Sequence, residues 1–502
     1  MRGPTATSTR PATVAATVAA GHLRALGAAD TGYDIGWAGP VDLPLDDEAS
    51  VQAACGLAAV HGRRYGRPEP LRVPYASVLA GVLAAQGALA AQLDRRRGGP
   101  ARRVATSVAQ AALLAVGQHL ASATTADDGA PPAGTGGPPF VSADGVRFEI
   151  ESLYAEGWAR FWSRLGADTG AVRRGWPPFQ GRFATATCPL PAALHDTTRR
   201  HPYEEVRAAG ADAGVTVVAV RTGPAGTGEV PWRFAELGAA VPTPPPAAGD
   251  APLHGFVVVE ATRRVQGPLA GHLLRLLGAD VVRVEPPGGD PMRGVPPMAG
   301  DVSARFLALN RGKRVVAADL GHAAGRAELR ELVAGADVFL HNWAPGRAAR
   351  WGLDADDLAA VRPGLVFAYA SGWGAAPGAD PPVGTDYVVQ ASSGLAARLG
   401  PDDATPTPSL YTVTDTLGAL VCVEAVLAAL LHRLRTGYGR RVDTSLLSAA
   451  GVLLAAPRTA PAAPRVPVCT DLAELAGDPR FADALTYDGC ALVRAPWRFT
   501  PA

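Results

Sequence analysis

The second half of the chain alternates short apolar runs with amphipathic stretches. Residues 255–260, 280–285, 314–320, 336–340 and 364–370 are rich in Val, Leu, Ala or Phe and have the length of strands. Between the first two, 267–277 carries Leu269, Leu273, Leu276 and Leu277 on one helical face. Strands separated by helices predict a parallel, doubly wound (Rossmann-like) α/β sheet, with ligands held beyond the carboxyl ends of its strands. Residues 414–433 and 440–454 read as two further apolar helices.

The chain also repeats itself. VQAACGLAA at 51–59 returns as VQASSGLAA at 389–397, an offset of 338. Without a gap, the same offset pairs Arg95 with Arg433, Arg97 with Arg435, Arg102-Arg103-Val104 with Arg440-Arg441-Val442, and Thr106-Ser107 with Thr444-Ser445. About 23 of 60 positions agree between 48–107 and 386–445. Alanine-rich composition explains some matches, but not aligned Gln, Arg, Val and Ser at one spacing. A second echo, 21–28 against 271–279, has an offset of about 250, so about 88 residues, roughly 281–370, have no counterpart in the first copy. A third echo sets Pro231-Trp232-Arg233-Phe234 against Pro496-Trp497-Arg498-Phe499. Two homologous units are expected, each lacking a different piece.

Composition narrows the function. The 502 residues carry 47 basic and 46 acidic side chains, a net charge of +1, so no field favours nucleic acid or an anionic membrane surface. The 58 Gly and 45 Pro follow no collagen period. Cys55, Cys188, Cys422, Cys469 and Cys490 form no C-x-x-C pair, which argues against a zinc knuckle or disulfide framework and for a reducing cytoplasm. The Ala/Thr-rich run at 12–20 is too short to span a membrane. The turn at 265–271 is not G-x-G-x-x-G, and no P-loop, H-E-x-x-H or G-x-S-x-G motif occurs.

Several segments remain: Glu260-x-Thr262-Arg263-x-x-x-Gly267-Pro268, LGADVVRVEPPGGD at 277–290, LNRGKR at 309–314, NWAPG at 342–346, SGWG at 371–374 and GTDYVVQASSG at 384–394. Their order and spacing resemble the class III CoA-transferases of the CaiB/BaiF (carnitine and formyl-CoA transferase) type, nearly continuously over 254–455. Parts of the first half resemble the same family. The resemblance implies a truncated large-domain remnant at 1–135, a small α+β domain at 136–240, a linker at 241–253, the CoA-binding domain at 254–455, and a return to a large domain at 456–502.

The resemblance assigns the nucleophile to Asp386, with oxyanion donors expected from Gly384, Gly394 and nearby amides. It assigns contacts with coenzyme A to Val265, Gln266, Lys313, Asn342, Trp343, Arg350 and Trp373, with Lys313 and Arg350 as phosphate partners by charge. Pro286 and Ser371 depart from positions often basic in the family. The implied reaction moves CoA between an acyl-CoA and a carboxylic acid, with CoA as substrate and no permanently bound cofactor or metal. A 2-methylacyl-CoA racemase shares the fold, but there Thr385 stands where racemases often have His. A degenerate CoA-binding scaffold is the third reading. Glu48 aligns with Asp386 and reads as non-catalytic. Family members form interlocked dimers, so the tandem chain is expected to fold as an internal pseudo-dimer or to form a homodimer.

Overall fold

The structure is a computed structural model that describes residues 12–28, 32–126, 137–223, 230–241, 245–374, 382–401, 404–460 and 462–502. Its largest sheet has seven strands. Arg314–Ala317, Asp280–Glu285, Val257–Ala261, Val338–His341, Val366–Ser371 and Gly439–Ser445 lie side by side in that order, all parallel, and Trp232–Leu237 closes the edge antiparallel to the last. Side chains alternate between faces along a strand. Val258, Val338, Leu340, Val366 and Ala368 enter one core, while Val259, Phe339, Phe367, Val282 and Val284 enter another. Both faces are therefore covered, which explains why these strands read as unbroken apolar runs.

Residues 440–454, expected as a helix, divide at Ser445. Gly439–Ser445 is a strand and Leu446–Ala455 the helix. The Ser445 side chain caps the helix by accepting from the Ser448 amide, which fixes the switch from extended to helical backbone. Ser107, its partner in the repeat, ends the strand Arg102–Ser107 and caps Val108–Ala123 in the same way. Gly56 (φ 82°) and Gly394 (φ 81°) likewise follow equivalent helices in a left-handed turn.

The two copies are built into each other. The strand Trp232–Leu237 pairs with Gly439–Ser445, and the strand Arg498–Pro501 pairs with Arg102–Ser107, both antiparallel. Thr106 Oγ1 donates to the carbonyl of Pro496 at 2.7 Å, and Ser448 Oγ to that of Pro231 at 2.9 Å. The helices Tyr75–Arg96 and Val413–Thr436 are apolar enough to cross a membrane by length and composition, yet they pack on each other inside the core. A separate antiparallel sheet, Phe140–Val141, Arg147–Glu151 and Thr216–Ala219, carries the helices between Ala155 and Ala213.

Candidate active site

Asp386 opens the helix Asp386–Ser393 and is 2% exposed. Its Oδ2 accepts from the Thr414 amide (2.7 Å), the Thr414 hydroxyl (2.7 Å) and the Asp415 amide (2.8 Å), all in the first turn of Val413–Thr436. Its Oδ1 accepts from the amide of Gln390, one turn along its own helix. Gln390 in turn accepts from the Ser409 amide at 2.7 Å, locking the approach to that turn. Burial pushes the Asp386 carboxyl up to about 6, against the pull of these donors. Burial, with Asp386 next to it, also holds the Asp415 carboxyl well above the usual range. One oxygen of Asp386 is thus saturated, and the other keeps lone-pair capacity for an electrophile.

The first copy contains the same frame around Glu48. Glu48 Oε1 accepts from Gln52 (2.9 Å) and the Ala76 amide (2.9 Å), and Oε2 from the Ser77 amide (2.9 Å) and hydroxyl (2.6 Å). Gln52 accepts from the Leu71 amide at 2.8 Å, as Gln390 does from Ser409. Glu48, Gln52, Leu71, Ala76 and Ser77 stand 338 residues before Asp386, Gln390, Ser409, Thr414 and Asp415, but the hydroxyl donor comes from Ser77, which matches Asp415, and not from the position matching Thr414. The difference is occupancy: both Glu48 oxygens hold two donors, so neither has spare capacity of the kind left on Asp386 Oδ1.

Gln266 begins the helix Gln266–Leu276 and is 5% exposed. Its Nε2 has no hydrogen-bond partner, and a Cβ on Gly418 would lie 2.8 Å from it. Gln266 and Asp386 therefore converge on the first two turns of Val413–Thr436. Val265 is buried beside Gln266. Asn342 accepts from the Arg263 amide (3.0 Å) and donates to its carbonyl (2.8 Å), clamping the loop in which Arg264 takes φ 68°. Trp343 packs edge-on against Trp351, with ring centroids 5.0 Å apart. Arg350 presents an exposed guanidinium nearby. Trp373 donates from Nε1 to the Pro382 carbonyl (2.8 Å) and lies on Gly384, where a Cβ would come within 2.6 Å of that nitrogen. Gly384 is thus required by the indole just ahead of Asp386.

Two expectations change. Lys313 does not present its charge to a ligand. Its buried Nζ donates to Glu260 (2.7 Å), the Pro268 carbonyl (2.7 Å) and Asn310 (2.9 Å), which uses all three protons. Burial lowers its pKa to about 8. It belongs to an internal ion cluster in which Arg283 pairs with Glu260, Glu285 and Asp290. Gly394 ends the Asp386 helix, about 12 Å from its start at 1.5 Å per residue. The Asp386 carboxylate itself is held by donors from Thr414 and Asp415, which the sequence reading did not single out. It also missed Glu151, which accepts from the Thr385 hydroxyl at 2.5 Å across 234 residues. No local pattern signals such a contact. Among the described residues, no group of His, Cys, Asp and Glu could hold a metal ion.

A family model described as CoA-transferase family III matches residues 31–247 and again 253–467. The chain belongs to this family. A succinate–glutarate CoA-transferase from Agrobacterium fabrum is 38% identical over 41% of this chain and 53% of its own length. A succinyl-CoA:glutarate CoA-transferase from Mus musculus is 36% identical over 39% of this chain and 46% of its own. An acetyl-CoA:oxalate CoA-transferase from Acetobacter aceti is 36% identical over 40% and 52%. This class III chain thus spans about half the length of the curated relatives it matches.

Proposed function

We propose that the protein transfers CoA between an acyl-CoA thioester and a carboxylic acid, with Asp386 as the covalent nucleophile. The observation that carries this reading is the asymmetric carboxylate, buried with Oδ2 saturated and Oδ1 holding one donor. Oδ1 attacks the thioester carbonyl and expels CoA thiolate, leaving a mixed anhydride. The thiolate then attacks the aspartyl carbonyl. The donor acid leaves with an oxygen that came from Asp386, and an aspartyl-CoA thioester remains. The acceptor carboxylate attacks that thioester, forms a second anhydride and releases thiolate. Attack of the thiolate on the acceptor acyl carbon frees the new thioester and restores Asp386.

The residues around Asp386 suit these steps. The unpartnered Gln266 amide lies against Gly418, one turn along the helix from Thr414, and is the donor proposed for charge developing on a carbonyl oxygen. Val265, Asn342, Trp343, Arg350 and Trp373 are proposed to bind CoA, Asn342 by shaping the loop, the indoles by packing and Arg350 by pairing with a phosphate. The reciprocal edge strands support an internal pseudo-dimer with one such site per chain. Names of relatives span glutarate and oxalate transfer, and the class of acceptor common to them is a carboxylic acid.

The test is to incubate the protein with acyl-CoA, trap with hydroxylamine or borohydride, and locate the modification by mass spectrometry. Modification of Asp386 supports transfer. Deuterium exchange at the 2-position without modification would mark a racemase. Neither, with CoA still bound, would mark a scaffold.

A further inference from the structure

Arg305, in the helix Ala304–Asn310, is 4% exposed, and neither its Nε nor its Nη1 has a hydrogen-bond partner. Among the described residues no carboxylate lies within ion-pair distance of it. The charged group facing it is another arginine: burial, then Arg63, lowers the Arg305 pKa to about 9. Among the described residues Arg63 has no ion pair either, although Asp471 acts on its charge from further away. Its Nη1 donates to the Thr185 carbonyl (3.0 Å) and meets Nδ1 of His119 at 3.2 Å. His119 is 2% exposed, and burial, Arg63 and Arg305 keep its ring neutral. Two guanidiniums and a neutral imidazole therefore converge; Asp471 acts on Arg63 from beyond ion-pair distance, and Arg305 is left without a carboxylate partner among the described residues. Leaving a buried cation such as Arg305 unpaired is costly, and its unsatisfied donors add to that, while Arg63 beside it is half-buried. An arrangement of this kind is stabilised by an anion that the chain itself does not supply.

The cluster borders the site already described. His119 lies 6.0 Å, ring to ring, from Tyr411, in the segment leading to Thr414. Thr185 follows Phe183 by two residues, and the Phe183 ring lies 5.8 Å from the guanidinium carbon of Arg264, beside Val265 and Gln266. Arg63 and His119 come from the first copy, Arg305 from the second, and Thr185 from the helix Thr169–Thr185 between them.

We propose that Arg305 and Arg63 bind the free carboxylate at the far end of a dicarboxylic substrate. This rests on the transferase reading and adds to it a substrate class. A carboxylate fits because each planar guanidinium can offer two parallel N–H donors to its two oxygens. A monocarboxylic acyl group has nothing to offer them and leaves both cations unpaired, which is the strongest form of discrimination a buried polar site has.

The test compares Arg305→Gln and Arg63→Gln with the parent protein, each checked for an intact thermal transition. Transfer is measured from succinyl-CoA and from butyryl-CoA to the same acid. Stabilisation by succinate, butyrate and inorganic phosphate is measured separately as a shift in Tm. The expected result is a fall of about 100-fold in the succinyl-to-butyryl ratio of kcat/KM, with the succinate Tm shift lost in both variants. An unchanged ratio in a protein that still transfers CoA overturns the proposal and leaves the transferase reading standing. A Tm shift with phosphate that succinate does not reproduce also overturns it, marking a structural anion site. If no CoA transfer occurs at all, the transferase reading fails, and the succinate Tm shift alone reports on the arginine pair.

Discussion

Tyr75 donates its hydroxyl to the carbonyl of Val413 at 2.9 Å, and Val413 is the residue standing in Tyr75's own place in the second copy. Equivalent positions of a repeat touch only where a pseudo-twofold axis passes between them. The two long apolar helices meet at that axis, and each presents its first turn to one buried carboxylate. A single chain thus builds two copies of one carboxylate cradle, only one of which has the strands beyond it for a nucleotide-bearing substrate.

Glu48 is expected to hold its own copy together without reacting, since both its oxygens carry two donors. Replacement by Ala strands four donors in the interior, so Glu48→Ala is expected to lower unfolding stability by about 3 kcal/mol in urea titrations. The modification at Asp386 should still form in the folded fraction, as mass spectrometry of trapped protein would report. Loss of that modification in a fully folded variant would show that the two cradles cooperate in the chemistry.

To act as the proposed nucleophile, the Asp386 carboxyl must be ionised. Its ordinary value is 3.8, and burial raises it to about 6. The rate of the first acylation should therefore fall as pH drops through about 6, not through 4. The sign for stability is opposite. The folded state holds this proton more tightly than the unfolded chain, so ionising Asp386 between pH 4 and 6 reduces stability as pH rises. Asp386→Asn should remove that part of the pH dependence, read from unfolding titrations across the same window.

Lys313 is a structural charge, and Arg350 is proposed to be a ligand-directed one. Lys313→Met leaves Glu260 buried with one cation fewer and is expected to cost about 3 kcal/mol in stability. Adding Glu260→Gln should return part of that loss, because the stranded charge goes with it. Arg350→Gln should instead weaken CoA binding about 10-fold and flatten its salt dependence, as calorimetry at two ionic strengths would show. A stability loss at Arg350 equal to that at Lys313 would reverse these assignments.

The repeat and most strands are legible along the chain because they rest on local signals. A constant offset, apolar runs of five residues and glycines at helix ends all survive without knowledge of contacts. The strand Gly439–Ser445 is not, since its Val442 and Thr444 run directly into an apolar helix and only the Ser445 cap divides them. Asp386 stands out by its motif, but its donors Thr414 and Asp415 lie 28 and 29 residues downstream. Lys313 reads as a free cation because its acceptors Glu260 and Pro268 lie 53 and 45 residues away. The Trp232 strand joining the far end of the other copy's sheet is likewise a product of tertiary assembly, although the Pro-Trp-Arg-Phe echo marks both of its instances.

If Asp386 is the proposed nucleophile, one of its oxygens is exchanged with substrate in every cycle. Turnover with an acceptor acid labelled with oxygen-18 in its carboxylate tests this most directly. Oxygen-18 is expected in the peptide containing Asp386, and none in the peptide containing Glu48. Transfer that proceeds with no label in the Asp386 peptide, or with label on Glu48, would contradict it.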